Sequence, residues 1–387
     1  MQALHFGAGN IGKGFIGKVL NDSGYKMCFV DVDEDNIKAI NRYNEYIVEF
    51  LDETRSQIKV APVEALNSRT QKHEVIEAVI SADLITTSVG AANLSSIAGL
   101  LAQGLMERMS RRKNEIDVIA NENAINASST LRTEISKHVS QEQMNKLEDF
   151  VGFPNTAVDR LALSKEGDKT VPLVEPYYEW VINESEMKNK QALPISNAKY
   201  VKDLRYFIER KLFIVNMGHA ATAYLGSAAQ KSTIQQALES IEIKQCVREA
   251  MKESSQYIQN EFSIGEKEME LFIEETLGRF ENPRVKDDVT RVGRNPIRKL
   301  GEHERLVKPL HEVLKLGGTI EHSAIVIAAA FMYSNPNDEE AVRLQKDVKT
   351  HGLTTTIVRY TNIKNKSALT KIEEAYQKLQ NNDGVII

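Results

Sequence analysis

The sequence predicts an α/β protein in two parts, a doubly wound parallel sheet followed by a mainly α-helical domain. Three observations predict it. Gln2–Phe6 is a short apolar strand that runs into Gly7-Ala-Gly-Asn-Ile-Gly12, with Ile11, Phe15, Ile16 and Leu20 at helical spacing behind it. Strand-like and helix-like segments then alternate to about residue 150, the pattern of a parallel sheet covered on both faces. From about Tyr200 onward the apolar residues repeat at helical spacing. The expected domains are 1–195, with its sheet core over about 1–150 and an extension, and 196–387.

Each element follows in order. Lys13–Asn21 is the first helix, and Gly24 stops it. Lys26–Val32 is the second strand, with Asp31 and Asp33 at its end. In the order strand, glycine turn, helix, strand, acid, a GxGxxG becomes a dinucleotide signature, and the domain reads as Rossmann-type. Gly7 allows the tight turn, Gly9 lets the backbone approach a pyrophosphate, and Gly12 lets helix and strand pack closely. Ala8, Asn10 and Ile11 complete the loop, and the helix N-terminus supplies amide donors. The acid accepts from the adenosine ribose hydroxyls and repels a 2′-phosphate, so NAD is expected rather than NADP. Asp31 is assigned this place, with Asp33 as the alternative.

Asp35–Tyr43 is helical. Tyr46–Leu51 and Gln57–Ala61 form a small strand excursion, and His73–Ser81 is a helix. Leu84–Ser88 is a strand that ends in the small-residue loop Val89-Gly90-Ala91. A long helix, Asn93–Arg112, has a basic end from Arg108 to Lys113 that suits a solvated helix C-terminus. Asp117–Ala120 is a strand with Asn121-Glu122-Asn123 at its carboxyl end, where open α/β sheets bind ligands. Helix resumes over Ile125–Phe150. Strands Val171–Glu175 and Tyr178–Ile182 follow, among prolines that mark irregular connections. Asp159 and Arg160 read as an exposed pair or a buried structural one. The second domain is expected as helices Tyr200–Gln230, Thr233–Asn260, Gly265–Phe280, His303–Leu316, Thr319–Tyr333, Glu339–His351 and Ala368–Gln380. Its charge-rich last fifty residues read as solvated packing helices.

The chemistry gathers in two stretches. Lys211, Asn216 and His219 lie at offsets of zero, five and eight in an otherwise apolar helix. At about 100° per residue they fall within an arc of roughly 140°. Buried polar groups are costly unless paired, so the three are expected to face one cleft. The segment from Glu281 to Leu300 carries six basic residues, Arg284, Lys286, Arg291, Arg294, Arg298 and Lys299. Arginine suits bidentate contact with phosphate or carboxylate, so this loop either holds an acid group on a small substrate or is a surface loop balanced by Asp287, Asp288 and Glu302.

Hydride transfer from an alcohol needs a base on the hydroxyl and donors around the developing oxyanion. The eight histidines are scattered without cysteine partners, so no zinc set is suggested. The Tyr-x-x-x-Lys pair of short-chain dehydrogenases is absent from the first domain. Lys211 is then the natural base, provided its pKa falls from about 10.4, through desolvation or through positive charge from oxidised nicotinamide, Arg291 or Lys299.

Bulk properties narrow the classes. The 387 residues carry a formal net charge of −5, and 42% are hydrophobic, which argues against nucleic acid as the partner. Two cysteines, Cys28 and Cys246, suggest no disulfide framework, and Cys28 reads as core. No apolar run reaches the length of a membrane span and the N-terminus enters a strand directly, so a cytoplasmic protein is expected.

Lys-x4-Asn-x2-His, filled by Lys211, Asn216 and His219, resembles the signature of the polyol-specific long-chain dehydrogenases. The opening Met-Gln-Ala-Leu-His-Phe-Gly-Ala-Gly-Asn-Ile-Gly-Lys-Gly-Phe-Ile-Gly, the Glu-Arg-Lys-Leu-Phe before the signature and Arg-Val-Gly-Arg-Asn-Pro-Ile-Arg-Lys-Leu extend the likeness over residues 1 to about 333. The resemblance implies metal-independent, NAD-linked interconversion of mannitol 1-phosphate and fructose 6-phosphate. It makes Lys211 the general base and acid, Asn216 and Asn123 the oxyanion donors, and His219 the group that orients the reactive oxygen. It places Arg291, Lys299 and Asp159 near the substrate. Arg294 and Arg298 are additional candidates for the phosphate. A small-molecule sugar phosphate is the expected partner, and a monomer is favoured over an oligomer. The rivals are a dehydrogenase of the same family for free mannitol or a hexuronate, and a non-catalytic NAD-sensing regulator.

Overall fold

The computed structural model describes residues 1–111 and 114–381. It divides into two compact units, Met1–Arg205 and Tyr206–Ile387.

The strands of the first unit are β1 (Gln2–Phe6), β2 (Lys26–Asp31), β3 (Tyr46–Phe50), β4 (Gln57–Val60), β5 (Val63–Asn67), β6 (Leu84–Thr87), β7 (Ile116–Ala120), β8 (Val151–Gly152), β9 (Thr156–Asp159), β10 (Ala162–Lys165), β11 (Asp168–Val174), β12 (Glu179–Asn183) and β13 (Lys199–Val201). Six of them form an all-parallel sheet in the order β5-β2-β1-β6-β7-β8. Counted within the sheet this is 3-2-1-4-5-6, the dinucleotide-binding order. Its central strands are apolar on both faces, as a sheet covered on both sides requires. Leu4, Phe6, Cys28, Val30 and Ile85 fill one layer, and Ala3, Met27, Phe29, Leu84 and Ile119 the other. Strand order reverses between β1 and β6, which opens a crevice at their carboxyl ends.

The covering helices are α1 (Lys18–Asp22), α2 (Glu34–Tyr43), α3 (Lys72–Ser81), α4 (Leu94–Arg111), α5 (Ala127–Ser136) and α6 (Gln141–Phe150). A π turn over Gly12–Gly17 leads into α1. The strand excursion is real, since β3 and β4 join β11 and β10 in a sheet of order β10-β11-β3-β4. A third sheet, β13-β12-β9, carries the fully buried Trp180.

Several expectations change, and the open alternative at Arg160 is settled. Edge strand β5 was not foreseen. The single helix over 125–150 is two, because Ser140 opens a capping box with Gln143. Arg108 is not solvated, since its buried guanidinium donates to the carbonyls of Ile80 at 2.6 Å and Ala82 at 2.7 Å at the C-terminal end of α3. Arg111 is exposed and paired with Glu77 and Glu107, as expected of a solvated end, and Arg112 and Lys113 lie outside the described residues. Arg160 is a buried structural cation: it donates to the carbonyls of Glu175 at 3.0 and 2.8 Å and of Gly14 at 3.1 Å. Burial pulls its pKa down to about 10.

The second unit holds α7 (Arg205–Arg210), a π turn (Lys211–Val215), α8 (Asn216–Ala228), α9 (Ile234–Leu238), α10 (Ile241–Phe262), α11 (Glu266–Phe280), α12 (Val289–Gly293), α13 (Pro296–Lys299), α14 (Lys308–Lys315), α15 (Glu321–Met332), α16 (Glu339–His351), α17 (Leu353–Thr361) and α18 (Lys366–Asn381). Helices α8, α10 and α15 make the centre of its core, and Ala324–Phe331 is interior in this chain. The C-terminal helices are more than a solvated cover, because Ile357, Ile372 and Leu379 are buried in the same core. The basic loop carries two short helices, α12 and α13. Among the described residues, no helix is long and apolar enough to cross a membrane.

Candidate active site

The first unit presents the glycine turn at the crevice. Gly7 has φ +105°, and a Cβ there would lie 2.6 Å from the Ser88 carbonyl oxygen. A Cβ on Gly12 would collide with the Gly7 carbonyl. A Cβ on Gly9 would meet nothing within 4 Å, so the middle glycine keeps open the space that a pyrophosphate needs. A cleft of about 370 Å³ lies there, lined by Gly7, Gly9, Asp31, Arg69, Ser88 and Val89 among others. The two acids at the end of β2 separate. Asp31 lines the cleft, accepting from the amide of Ala8 at 2.5 Å through one oxygen and from those of Val32 at 2.6 Å and Asp33 at 3.0 Å through the other. Asp33 caps α2 by accepting from the amides of Asp35 and Asn36. Asn10 donates to Ser164 at 2.9 Å. The glycine spacing and the Asp31 carboxylate fit a dinucleotide with a free ribose 2′-hydroxyl.

Buried polar groups brace this crevice from below. His5 lies between Thr86 Oγ1 at 2.7 Å and Ser88 Oγ at 2.8 Å, and burial drives its pKa down to about 3, so its ring is neutral. Glu122 accepts from Thr87 Oγ1 at 2.8 Å and from the amides of Val89 at 3.0 Å and Gly90 at 2.7 Å, which ties the loop after β6 to the end of β7. Asn123, beside it, is exposed at that strand end, and Asp159 is half-buried at the end of β9.

In the second unit, Lys211 begins the π turn and the amide of Asn216 bonds back to its carbonyl. Five residues therefore make little more than one turn, instead of the 140° offset of an α-helix. With His219 three residues further along α8, the amine, amide and imidazole narrow to an arc on the order of 60°. Lys211, Asn216 and His219 are all half-buried. Ser254 on α10 donates to the Phe213 carbonyl at 2.7 Å, inside the widened turn.

His219 is held on two sides. Its ring stacks on Phe280 with centroids 4.8 Å apart, and its Nε2 lies 2.8 Å from Asp287 Oδ2. The other carboxylate oxygen of Asp287 accepts from Arg291 Nε and Nη2, both at 2.6 Å. Asp287 is only 2% exposed. Burial opposes its charge, but the hydrogen bonds from His219 and Arg291 and the charge of Arg291 outweigh it and hold its pKa below the usual carboxylate value. Sequence reasoning counted Asp287 only as a loop counter-charge. Its signal was its place four residues before Arg291, an i,i+4 ion pair once α12 forms.

Arg294, Arg298 and Lys299 form a separate cationic group with Arg305, which the sequence did not single out. Lys299 is 4% exposed, and its ammonium donates to the Arg294 carbonyl. Burial first, then Arg305, Arg298 and Arg294, push its pKa down to about 7. Arg305 is also lowered, by burial and by Arg298, and bonds Glu304. Arg294 and Arg298 are exposed, and among the described residues neither forms an ion pair. Glu304 pairs with Arg305, Asp338 acts on Lys299 and Glu340 accepts from the Arg298 amide, so the guanidiniums of Arg294 and Arg298 are the cations left for an anionic ligand.

Residues 1–195 match the family model of the mannitol dehydrogenase Rossmann domain, and residues 203–387 match that of the mannitol dehydrogenase C-terminal domain. The chain belongs to the mannitol dehydrogenase family. The mannitol-1-phosphate 5-dehydrogenase of Bacillus subtilis (strain 168) is 43% identical over 353 residues, covering 91% of this chain and 93% of that one. That of Geobacillus thermodenitrificans (strain NG80-2) is 40% identical over 385 residues, covering 98% and 99%. Among solved structures, a D-sorbitol dehydrogenase in substrate-free form aligns with a TM-score of 0.84 at 12% identity, covering 100% of this chain and 95% of that one. A Pseudomonas fluorescens mannitol 2-dehydrogenase in ternary complex with NAD and D-mannitol aligns with a TM-score of 0.74 at 15% identity, covering 99% and 92%. At those identities the solved structures share the fold. The resemblance read from Lys211, Asn216 and His219 is thus borne out at the level of the family. This member of the mannitol dehydrogenase family is an oxidoreductase with NAD as its cofactor.

Proposed function

We propose that the chain catalyses the reversible, metal-independent oxidation of mannitol 1-phosphate to fructose 6-phosphate, as a cytoplasmic monomer with cofactor domain 1–195 and catalytic domain 196–387. The observation that carries this reading is the narrowing of Lys211, Asn216 and His219 onto one helix face by the π turn, in a chain 37–43% identical to enzymes named for that reaction.

The residues divide the work. Gly7 to Gly12 and Asp31 seat the cofactor, and NAD, when bound, takes hydride from the carbon that bears the reacting hydroxyl. Neutral Lys211 accepts the hydroxyl proton in oxidation and returns it in reduction. Asn216 and Asn123 donate to the alkoxide-like oxygen. His219 orients that oxygen: with Nε2–H donating to Asp287, its Nδ1 is left as the acceptor for a substrate hydroxyl. Arg291 and Asp159 line the substrate. Arg294, Arg298 and Lys299, with Arg305, hold the phosphate; the exposed guanidiniums of Arg294 and Arg298, neither in an ion pair among the described residues, support this.

The test compares kcat/KM for mannitol 1-phosphate, mannitol and fructuronate with NAD and NADP. Mannitol 1-phosphate with NAD is expected to lead. Preference for an unphosphorylated substrate overturns the assignment, and preference for fructuronate makes the arginines a carboxylate site. Lys211→Ala is expected to abolish turnover while leaving NADH binding intact. Wild-type turnover in that variant removes Lys211 from the mechanism.

A further inference from the structure

Lys13 directly follows the glycine motif, yet no step above uses it. It is 1% exposed. Its Nζ donates to Asn36 Oδ1 at 2.5 Å and to the Thr170 carbonyl at 2.5 Å. The Asn36 amide nitrogen donates in turn to the Ala8 carbonyl at 3.0 Å, and the Ala8 amide donates to Asp31. Both peptide groups of Ala8, the residue between Gly7 and Gly9, are therefore fixed from outside the turn.

The direction of these bonds matters. An ammonium only donates, so it requires the carboxamide oxygen of Asn36 to face it. That leaves the Asn36 NH2 facing Ala8. With the Lys13 amine absent, the carboxamide is free to turn over, and its oxygen would then confront the Ala8 carbonyl. The ammonium also sets a buried positive charge behind the turn that receives a pyrophosphate, on the side of a 160 Å³ cavity that shares no lining residue with the cofactor cleft.

We propose that Lys13 is a positioning residue for the cofactor: through Asn36 it fixes the Ala8 peptides so that the first amides of the following helix meet the pyrophosphate, and its charge strengthens that contact. The groups facing it are Asp31 and Asp33 at the end of β2, Asp168 at the start of β11, and Tyr43, Glu45 and Tyr46 around the cavity. Burial outweighs the three aspartates and brings the ammonium down to about 8. Above that pH the charge is lost, and an anionic cofactor binds less well.

The inference rests on NAD as cofactor, whichever polyol is oxidised. The experiment measures the NADH Kd by fluorescence titration from pH 6.5 to 9.5 for the wild type, Lys13→Met and Asn36→Ala, with the KM for the polyol at saturating NAD alongside. Loss of a hydrogen bond from a charged donor predicts about a tenfold weaker Kd at pH 7 for both variants. The double variant is expected to lose little more than either single one. The KM for the polyol should stay within about twofold. The wild-type Kd should rise above pH 8, and Lys13→Met should remove that rise. A wild-type Kd and pH profile in Lys13→Met overturns the proposal. So do equal losses in NADH Kd and polyol KM, which mark general structural support. If Lys13→Met does not fold, Asn36→Ala decides by the same two affinities.

Discussion

Asp287→Asn is the change that most directly tests how the second unit is organised. The carboxylate serves three donors, one on His219 and two on Arg291. An asparagine offers one acceptor oxygen and turns an NH2 toward whichever partner loses it. Stranding a charge by breaking a fully buried pair costs about 3–5 kcal/mol. Here the side chains of Arg291 and His219 are 44% and 23% exposed, so water recovers part of that loss. Discounted for that solvation, the loss is about 2 kcal/mol. If both partners act on the substrate, this appears as a fall of about 30-fold in kcat/KM. The assay is steady-state oxidation of mannitol 1-phosphate, with NADH affinity and Tm measured in parallel. NADH affinity should not change. The pH dependence has a definite sign. Asp287 is depressed below its unfolded value, so its stabilisation is present above the ordinary aspartate pKa and is lost as pH falls through the lower folded value. Asp287→Asn should therefore lose less stability in acid than the wild type. A folded variant with kcat/KM within about twofold of wild type would refute the claim that Asp287 orients His219 and Arg291.

Ser254→Ala removes the donor to the Phe213 carbonyl in the π turn. A loss of about 1 kcal/mol in denaturant unfolding is expected, with lowered kcat and unchanged NADH affinity. Arg294→Gln should raise KM for mannitol 1-phosphate about tenfold while leaving weak turnover of mannitol unaltered; equal effects on both substrates would remove its phosphate role. Burial and the neighbouring arginines outweigh Asp338 and bring Lys299 down to about 7, and the charged form favours phosphate. The KM for mannitol 1-phosphate should then climb as pH rises past 7, and Lys299→Met should flatten that climb.

The Rossmann sheet was legible because its strands are buried on both faces and read as apolar runs between glycine turns. Strand β5 escaped because Val63-Glu-Ala-Leu-Asn67 sits at the sheet edge and mixes buried with exposed positions. The helix expected over 125–150 looked continuous because the break depends on the Ser140 cap, a local competition between side chain and backbone that periodicity does not register. In the candidate site, glycine spacing pointed to the proposed cofactor turn, and the spacing of Lys211, Asn216 and His219 to the proposed catalytic set. Choosing Asp31 over Asp33 needed the fold, because either could cap the next helix. Asp287 was hidden by arithmetic: in a loop with six basic residues it looked like one counter-charge among several, and only the folded chain shows which cations it meets.

The two π turns explain why spacing alone was incomplete. Each falls in the helix that carries its unit's candidate motif, Gly12–Gly17 in one and Lys211–Val215 in the other. A widened turn disturbs the regular carbonyl pairing of a helix, and buried carbonyls need donors. In the first turn Tyr46 donates to the Lys13 carbonyl at 2.8 Å and Arg160 to the Gly14 carbonyl at 3.1 Å. In the second, Ser254 donates to the Phe213 carbonyl. These donors lie between 33 and 146 residues from the carbonyls they serve. Local propensity therefore has no means of selecting either turn; each exists because the rest of its unit supplies the missing bonds. The gain is geometric. The first turn sets Gly14 and Gly17 where any Cβ would clash with neighbouring side chains, so the helix lies close against β11 and β2. The second brings Lys211 and Asn216 onto one face, which a regular α-helix would have kept well apart.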